Sequence, residues 1–361
     1  MKALPPGIVS RQIKGVNGLS MHCLESGKAG RPCVVLLHGF PELAYSWRKV
    51  MPALAQEGFR VLAPDQRGYG LTTGWDGRYD GDLASFRMLN LVEDVIALLA
   101  KLKVKKAHVV GHDFGSPVAA YCALTRPDIF KSVALMSAPF GGVQPAVSRA
   151  GPEVHAELTK LGRKHYQWYY STREADGDMR RCPQGVHAFL RAYYHYKSAD
   201  WKGNRPFPLK GWTAAELAMM PSYYIMESGK NMAETVAPEM PSSVPGWLSD
   251  EELSIYSSSF EKNGFQGGLQ WYRCATGAEF VSQLNQLQRK TIDVPALYVA
   301  GASDWGIYQK PGEFERMQSE VCTRFRGAHL VDGAGHWVQQ EQPGKVSGLL
   351  LEFLREAQAA L

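Results

Sequence analysis

Apolar residues along this chain fall into two rhythms. Short continuous runs recur at Cys33–Leu37, Arg60-Val-Leu-Ala63, Ala107-His-Val-Val110 and Ser132–Met136. Runs of that length without polar alternation suit strands covered on both faces. Helical spacing separates them. Trp47 to Gly58 is amphipathic, Asn90 to Leu102 sets Leu91, Val92, Val95, Ile96, Leu98, Leu99 and Leu102 at helical intervals, and Pro117 to Leu124 is a third such stretch. This alternation predicts an α/β class with a mostly parallel sheet flanked by helices. A hairpin precedes it: Gln12–Val16 and Leu19–Leu24 flank Asn17-Gly18, a strong type I′ turn signal.

The alternation stops after Pro139. The stretch that follows, about 150 residues rich in Trp, Tyr, Met and Pro, predicts an inserted, mainly helical unit. Strand patterns resume at Val294–Ala300 and near His329–Val331, and a helix from about Pro343 to Ala359 closes the chain. The predicted organisation is a core of residues 1–140 and 288–361 with a cap of residues 141–287.

Composition narrows the function. A hydrophobic fraction of 45% and a charged fraction of 21% are those of an ordinary globular protein. The net charge of +5 is spread along the chain, and the one dense run, Lys101 to Lys106, suits a solvated helix end, so no nucleic-acid partner is expected. The N-terminus has no apolar signal core and no run reaches membrane-span length. The six cysteines form no C-x-x-C pair and no cluster with histidine at metal spacing, which predicts free thiols, no metal and a cytoplasmic setting.

Candidate chemistry sits at strand ends. Val109-Val-Gly-His-Asp-Phe-Gly115 joins a strand to a helix in the Gly-x-nucleophile-x-Gly shape of a sharp elbow, with Asp113 where serine is usual. An ordinary strand–turn–helix with an N-cap aspartate would read the same locally. A carboxylate is a weak acyl nucleophile but can displace a leaving group at saturated carbon, forming an ester that water then cleaves. That chemistry needs a base and an orienting acid. Asp304 ends the strand of Val299-Ala-Gly-Ala-Ser-Asp304, and His336 follows the last strand in Asp332-Gly-Ala-Gly-His336. The chain order nucleophile, acid, histidine favours Asp304 over Asp332 as orienter. His38 and His112 read as loop-shaping residues. The backbone N–H groups of Phe40, in His38-Gly-Phe-Pro41, and of Phe114 are candidates for an oxyanion hole.

Taken together, His38-Gly-Phe-Pro-Glu42, Ser46-Trp-Arg48, Asp65-Gln-Arg-Gly-Tyr-Gly70, Gly111-His-Asp-Phe-Gly115 and Gly335-His-Trp337 resemble the soluble epoxide hydrolases of the α/β-hydrolase fold over nearly all the core. The resemblance implies two cap tyrosines that bind the epoxide oxygen. Tyr166 in His165-Tyr-Gln-Trp168 and Tyr272 in Gly268-Leu-Gln-Trp-Tyr-Arg273 match the family patterns. It implies a small-molecule epoxide and water as partners and no cofactor; a monomer or homodimer is expected. Trp305, Trp337 and Phe140 neighbour motif residues and are candidate pocket walls. The chain departs from the family at Phe114, where tryptophan is frequent, after Tyr170, and across residues 199–248. Phe114 also bears on the alternatives: a haloalkane dehalogenase wants an indole N–H there, and a haloacid dehalogenase an arginine. A hydrolase-fold binding protein without turnover, or an esterase using Ser116, are the other readings.

Overall fold

Every residue of Cys33–Leu37 and of Arg60–Pro64 is buried, so these runs can lie only inside a sheet covered on both faces. The computed structural model describes residues 4–143 and 152–359. In chain order its strands are β1 (Ile8–Val16), β2 (Leu19–Ser26), β3 (Cys33–Leu37), β4 (Arg60–Pro64), β5 (Ala107–His112), β6 (Phe130–Met136), β7 (Arg163–His165), β8 (Ile225–Glu227), β9 (Ile292–Gly301) and β10 (Cys322–Val331). Eight of them form one sheet in the order β1-β2-β4-β3-β5-β6-β9-β10. Pairing is antiparallel from β1 to β4 and parallel from β4 to β10. The β1–β2 turn holds Asn17 at φ 47° and Gly18 at φ 81°, the two left-handed positions a type I′ hairpin demands.

Two elements differ from the sequence expectation. The amphipathic stretch from Trp47 to Gly58 is a short turn, Ala44–Trp47, followed by a helix over only Met51–Gln56. Pro52 explains the late start, because a residue without N–H is at home in a helix's first turn. The last strand begins at Cys322, well before His329. It is an edge strand with largely exposed residues, so its sequence shows no apolar run.

Between β6 and β9 the chain leaves the sheet. Its main described helices are Pro152–Lys160, Tyr166–Tyr170, Glu174–Arg180, Gly185–Lys197, Asp250–Asn263 and Gln266–Thr276, with β7 and β8 as a small antiparallel pair. Residues 144–151 of the predicted cap lie outside the described residues. Two motifs from the sequence turn out to dock these helices on the core. In Ser46-Trp-Arg48, Ser46 Oγ lies 2.9 Å from the Tyr256 hydroxyl and Arg48 Nε donates to Glu252 Oε1 at 2.8 Å. In Asp65–Gly70, the Arg67 carbonyl accepts from Trp271 Nε1 at 2.9 Å. Gly68 meets the Gly267 backbone so closely that a Cβ on either would overlap the other. The helix that carries Tyr272 is thereby seated directly on the core.

Candidate active site

The step from β5 into the helix Gly115–Thr125 leaves little room, and Asp113 makes it at φ 50°. A residue with a Cβ occupies that region only at a cost, which the surrounding packing must hold in place. Gly111 allows the turn, since a Cβ there would run into the Gly115 carbonyl. The carboxylate is buried at the carboxyl end of the sheet. Phe40 N–H donates to Asp113 Oδ1 at 2.9 Å, and His336 Nε2 lies 3.2 Å from Oδ2. On its other side, His336 Nδ1 lies 3.0 Å from Asp304 Oδ1, which also accepts from Gly306 N–H at 2.7 Å. The acceptor at Nδ1 fixes the proton there and leaves Nε2 to face Asp113. Burial would raise the Asp113 pKa, but the approach of His336, with the charges of Lys197 and His112 behind it, holds the carboxyl well below the usual carboxylate range.

Both candidate tyrosines lie close enough to this group to feel its charge. Tyr166 starts the helix Tyr166–Tyr170, and Tyr272 lies in Gln266–Thr276. Their ring centroids are 5.9 Å apart, and Tyr272 packs edge-on against Phe40 at 5.5 Å and Phe114 at 5.1 Å. Burial, with the Asp113 charge added, pushes both phenols well above the ordinary tyrosine range, so they stay protonated at neutral pH.

Sequence reasoning took His112 as a loop-shaping residue and gave no role to Glu42, Glu341 or Lys197, which the fold assembles with it into a second layer. Glu42 Oε2 lies 2.6 Å from His112 Nδ1, and His112 Nε2 lies 2.7 Å from the His336 carbonyl oxygen. Both ring nitrogens of His112 face acceptors, so this buried pair is a carboxylate and an imidazolium. Glu42 also accepts from Gly39 N–H, Gln339 and Gln340. Glu341 accepts from Gly335 N–H and Trp337 N–H, each at 3.0 Å, and from Ala199 N–H at 2.8 Å. It thus brackets His336 and ties its loop to the inserted segment; burial pushes its pKa up to about 7. Lys197 ends the helix Gly185–Lys197 with its carbonyl accepting from His336 N–H at 2.9 Å. Its ammonium is buried 5.0–5.8 Å from the ring centres of Tyr193, Tyr223, Tyr224 and Trp337, and among the described residues it pairs with no carboxylate. The surrounding aromatic rings, with a hydrogen bond to Tyr193, stabilise such a cation in place of a counter-ion. Glu42 lies in a motif the sequence displays, whereas nothing local distinguishes Lys197.

The remaining candidates are placed as follows. Trp337 lies 4.7 Å from the His336 ring, stacks on Tyr194 and donates from Nε1 to the Tyr194 carbonyl. Phe140 packs on Tyr121 of the elbow helix, and Trp305, next to Asp304, packs on Phe207. Phe114 precedes the elbow helix, whose N-terminus brings free N–H groups and a positive dipole end close to Asp113. Ser116 Oγ donates to the Ala138 carbonyl at 2.6 Å, tying it to the backbone behind the elbow. His38 Nε2 accepts from Gln66 N–H at 3.1 Å and shapes its loop. Asp332 is exposed; its carbonyl accepts from Lys345. A cavity of about 450 Å³ lined by Leu24, Leu43, Tyr45 and Ile255 is bordered by none of the catalytic candidates.

Comparison with known proteins gives a consistent picture. The family model described as alpha/beta hydrolase fold matches residues 32–218. Epoxide hydrolase A of Mycobacterium tuberculosis (strain ATCC 25618 / H37Rv) is 34% identical, over 96% of this chain and 98% of that protein. An epoxide hydrolase of Caballeronia sordidicola is 30% identical over 96% of this chain and 93% of its own. Among solved structures, an epoxide hydrolase from an endophytic Streptomyces superposes with a TM-score of 0.80 at 30% identity, covering 98% of this chain and 97% of the other. Epoxide hydrolase A from Mycobacterium thermoresistibile gives 0.79 at 31% identity, covering 96% and 98%.

Proposed function

The chain belongs to the epoxide hydrolases of the α/β-hydrolase fold, and from that premise we propose that Asp113 is the nucleophile, forming a covalent hydroxyalkyl ester on the way to a vicinal diol. The observation that carries this reading is the Asp113 carboxylate itself. It stands at the apex of the elbow with Phe40 N–H on one oxygen and His336 Nε2 beside the other. The first step forms a bond from a carboxylate oxygen to an oxirane carbon and breaks the carbon–oxygen bond of the ring. Tyr166 and Tyr272 hold the departing oxygen, and one phenol gives it a proton. Esterification removes the anion that Nε2 faced, leaving its lone pair to a water. His336, oriented by Asp304, takes that water's proton as the oxygen attacks the ester carbonyl. Phe40 N–H, already on an Asp113 oxygen, and Phe114 N–H stabilise the oxyanion. The diol oxygen leaves with a proton from His336, and the proton of the regenerated Asp113 acid restores the phenol.

We read residues 141–287 as the cap that closes over this site, and Trp337, Trp305 and Phe140 as walls around the substrate. Six buried, unpaired thiols support a reducing, cytoplasmic setting; we read the assembly as a monomer or homodimer. The Phe114 side chain has no N–H for a halide, and the tied-down Ser116 favours no esterase.

A single turnover in heavy-oxygen water tests the pathway. With enzyme in excess over styrene oxide, the diol is expected to carry no solvent oxygen, and the Asp113 peptide to carry one. Solvent oxygen in the first diol would mean that water attacks the epoxide directly.

The placement of Lys197 gives a second expectation. A depressed carboxyl pKa keeps Asp113 ionised far into acid, and activity is lost only as pH falls through that depressed value. Lys197→Met keeps the stem and removes a charge that favours the ionised form. The acid limb of ester formation against pH is expected to move to higher pH, with the neutral plateau little changed. An unmoved acid limb in rapid-quench rates would remove Lys197 from the electrostatics of the nucleophile.

A further inference from the structure

Two amides hold the Tyr166 hydroxyl, one from the cap and one from the core. Gln167, the next residue in the same helix, donates from Nε2 to the hydroxyl oxygen at 3.1 Å. The hydroxyl donates in turn to Gln309 Oε1 at 3.2 Å. Gln309 belongs to the core loop that follows Asp304, and it is buried. Its own Nε2 reaches the Gly306 carbonyl at 3.5 Å, and Gly306 N–H binds Asp304 Oδ1 at 2.7 Å. One loop therefore supplies both the acid that orients His336 and the acceptor that orients Tyr166. Tyr166 is further fixed by its backbone, whose N–H donates to the Tyr224 carbonyl at 2.9 Å.

A buried amide is stable only when its polar atoms are paired. Gln309 spends its oxygen on a hydroxyl that ring opening requires. We propose that Gln309 is a positioning residue for ring opening, setting the direction of the Tyr166 O–H bond before the epoxide arrives. This rests on the reading of Tyr166 as a donor to the oxirane oxygen.

The chemistry follows from the two partners. In the resting site the phenol proton lies toward Gln309, and Gln167 fixes the oxygen from the opposite side. When the oxirane oxygen enters, the O–H swings from one acceptor to the other about a single torsion. Ring opening sends the electron pair to that oxygen, which takes the phenol proton and leaves a phenolate. Gln167 Nε2–H remains on the phenolate. The terminal torsion of a glutamine is broad and two-fold, so Gln309 can rotate and present its NH₂ group to the same oxygen. An amide suits this task because it accepts from the phenol and donates to the phenolate without itself changing charge.

The test separates the two half-reactions. Gln309→Met keeps the volume and removes both amide functions; Gln309→Leu is the replacement should the methionine variant be unstable. Rapid-quench mass spectrometry with styrene oxide gives the rates of ester formation and of ester hydrolysis. The variant is expected to slow formation about tenfold, the scale of one lost hydrogen bond to a group gaining charge, and to leave hydrolysis within about twofold. In a Tyr166→Phe background the same change is expected to add nothing. Equal slowing of both half-reactions would mean that Gln309 acts through the Asp304 loop, and equal slowing of formation with and without the Tyr166 hydroxyl would mean general structural damage. Either result overturns the assignment. If Tyr166→Phe alone leaves ester formation unchanged, the parent reading of Tyr166 fails instead, and the two failures stay distinguishable.

Discussion

Replacing His336 by glutamine is expected to stop turnover and leave the protein carrying one molecule of epoxide. The geometry gives the reason. Nothing in ester formation uses the imidazole as a base: Phe40 N–H holds one Asp113 oxygen, and the Lys197 and His112 charges still favour the ionised carboxylate once the imidazole is gone. Ester hydrolysis does need a base, because water is a poor nucleophile toward an ester at neutral pH, and a positioned base contributes about 10²–10⁴-fold. Steady-state turnover should fall by at least about 10³-fold, near the upper part of that range. Intact-protein mass spectrometry of His336→Gln after styrene oxide should show a mass increase equal to the whole epoxide, and digestion should place it on the peptide holding Asp113. Asp113→Asn should show no increase. Continued turnover by His336→Gln, or an adduct on another residue, would sink the covalent scheme. An adduct with a haloalkane but with no epoxide would move the activity to dehalogenation.

The second large effect is expected at the phenols. Removing one hydroxyl leaves the other to hold the oxirane oxygen; removing both leaves an alkoxide developing in an apolar, aromatic-walled site. Loss of a single donor to developing negative charge costs about 10²–10³-fold in comparable sites. Tyr166→Phe and Tyr272→Phe should each slow ester formation by about that factor, and the pair by more, with hydrolysis of preformed ester nearly untouched. Packing should survive, since both rings make edge-on contacts that phenylalanine retains. The pH behaviour follows with its sign. The phenols act while protonated, and their pKa values are raised by burial and the Asp113 charge. Ester formation should therefore hold through the ordinary tyrosine range and fall only above it. A double variant that forms ester at near wild-type speed would assign the oxirane oxygen to other donors.

How much of this was legible beforehand depends on the range of the interaction. The elbow could be read because its demands are local: a strand, a cramped turn and a helix need small residues at Gly111 and Gly115 whatever lies around them. The hairpin at Asn17-Gly18 was legible for the same reason, two successive left-handed residues. The central strands were visible because burial on both faces leaves no polar alternation. Where the environment was asymmetric, the signal failed. Edge strand β10 owes its length to pairing with β9 rather than to its own side chains. The stretch after Trp47 carried a helical period that Pro52 confined to a single short helix.

The sequence by itself determined the order of the strands along the chain, the sharp turn that presents Asp113, and the residue types available for a nucleophile, an acid, a base and two phenols. Each is a property of a few neighbouring residues or of a repeating period. Only the tertiary structure decided which partners those groups have. The clamp of Gln167 and Gln309 on Tyr166, the Glu42–His112 pair beneath His336 and the aromatic rings around Lys197 join segments far apart in the chain. Hydrogen bonds act over about 3 Å, and a buried charge persists only where neighbouring groups compensate it. Such matches are set by how helices seat on the sheet, through contacts such as Gly68 on Gly267, and by no spacing along the chain.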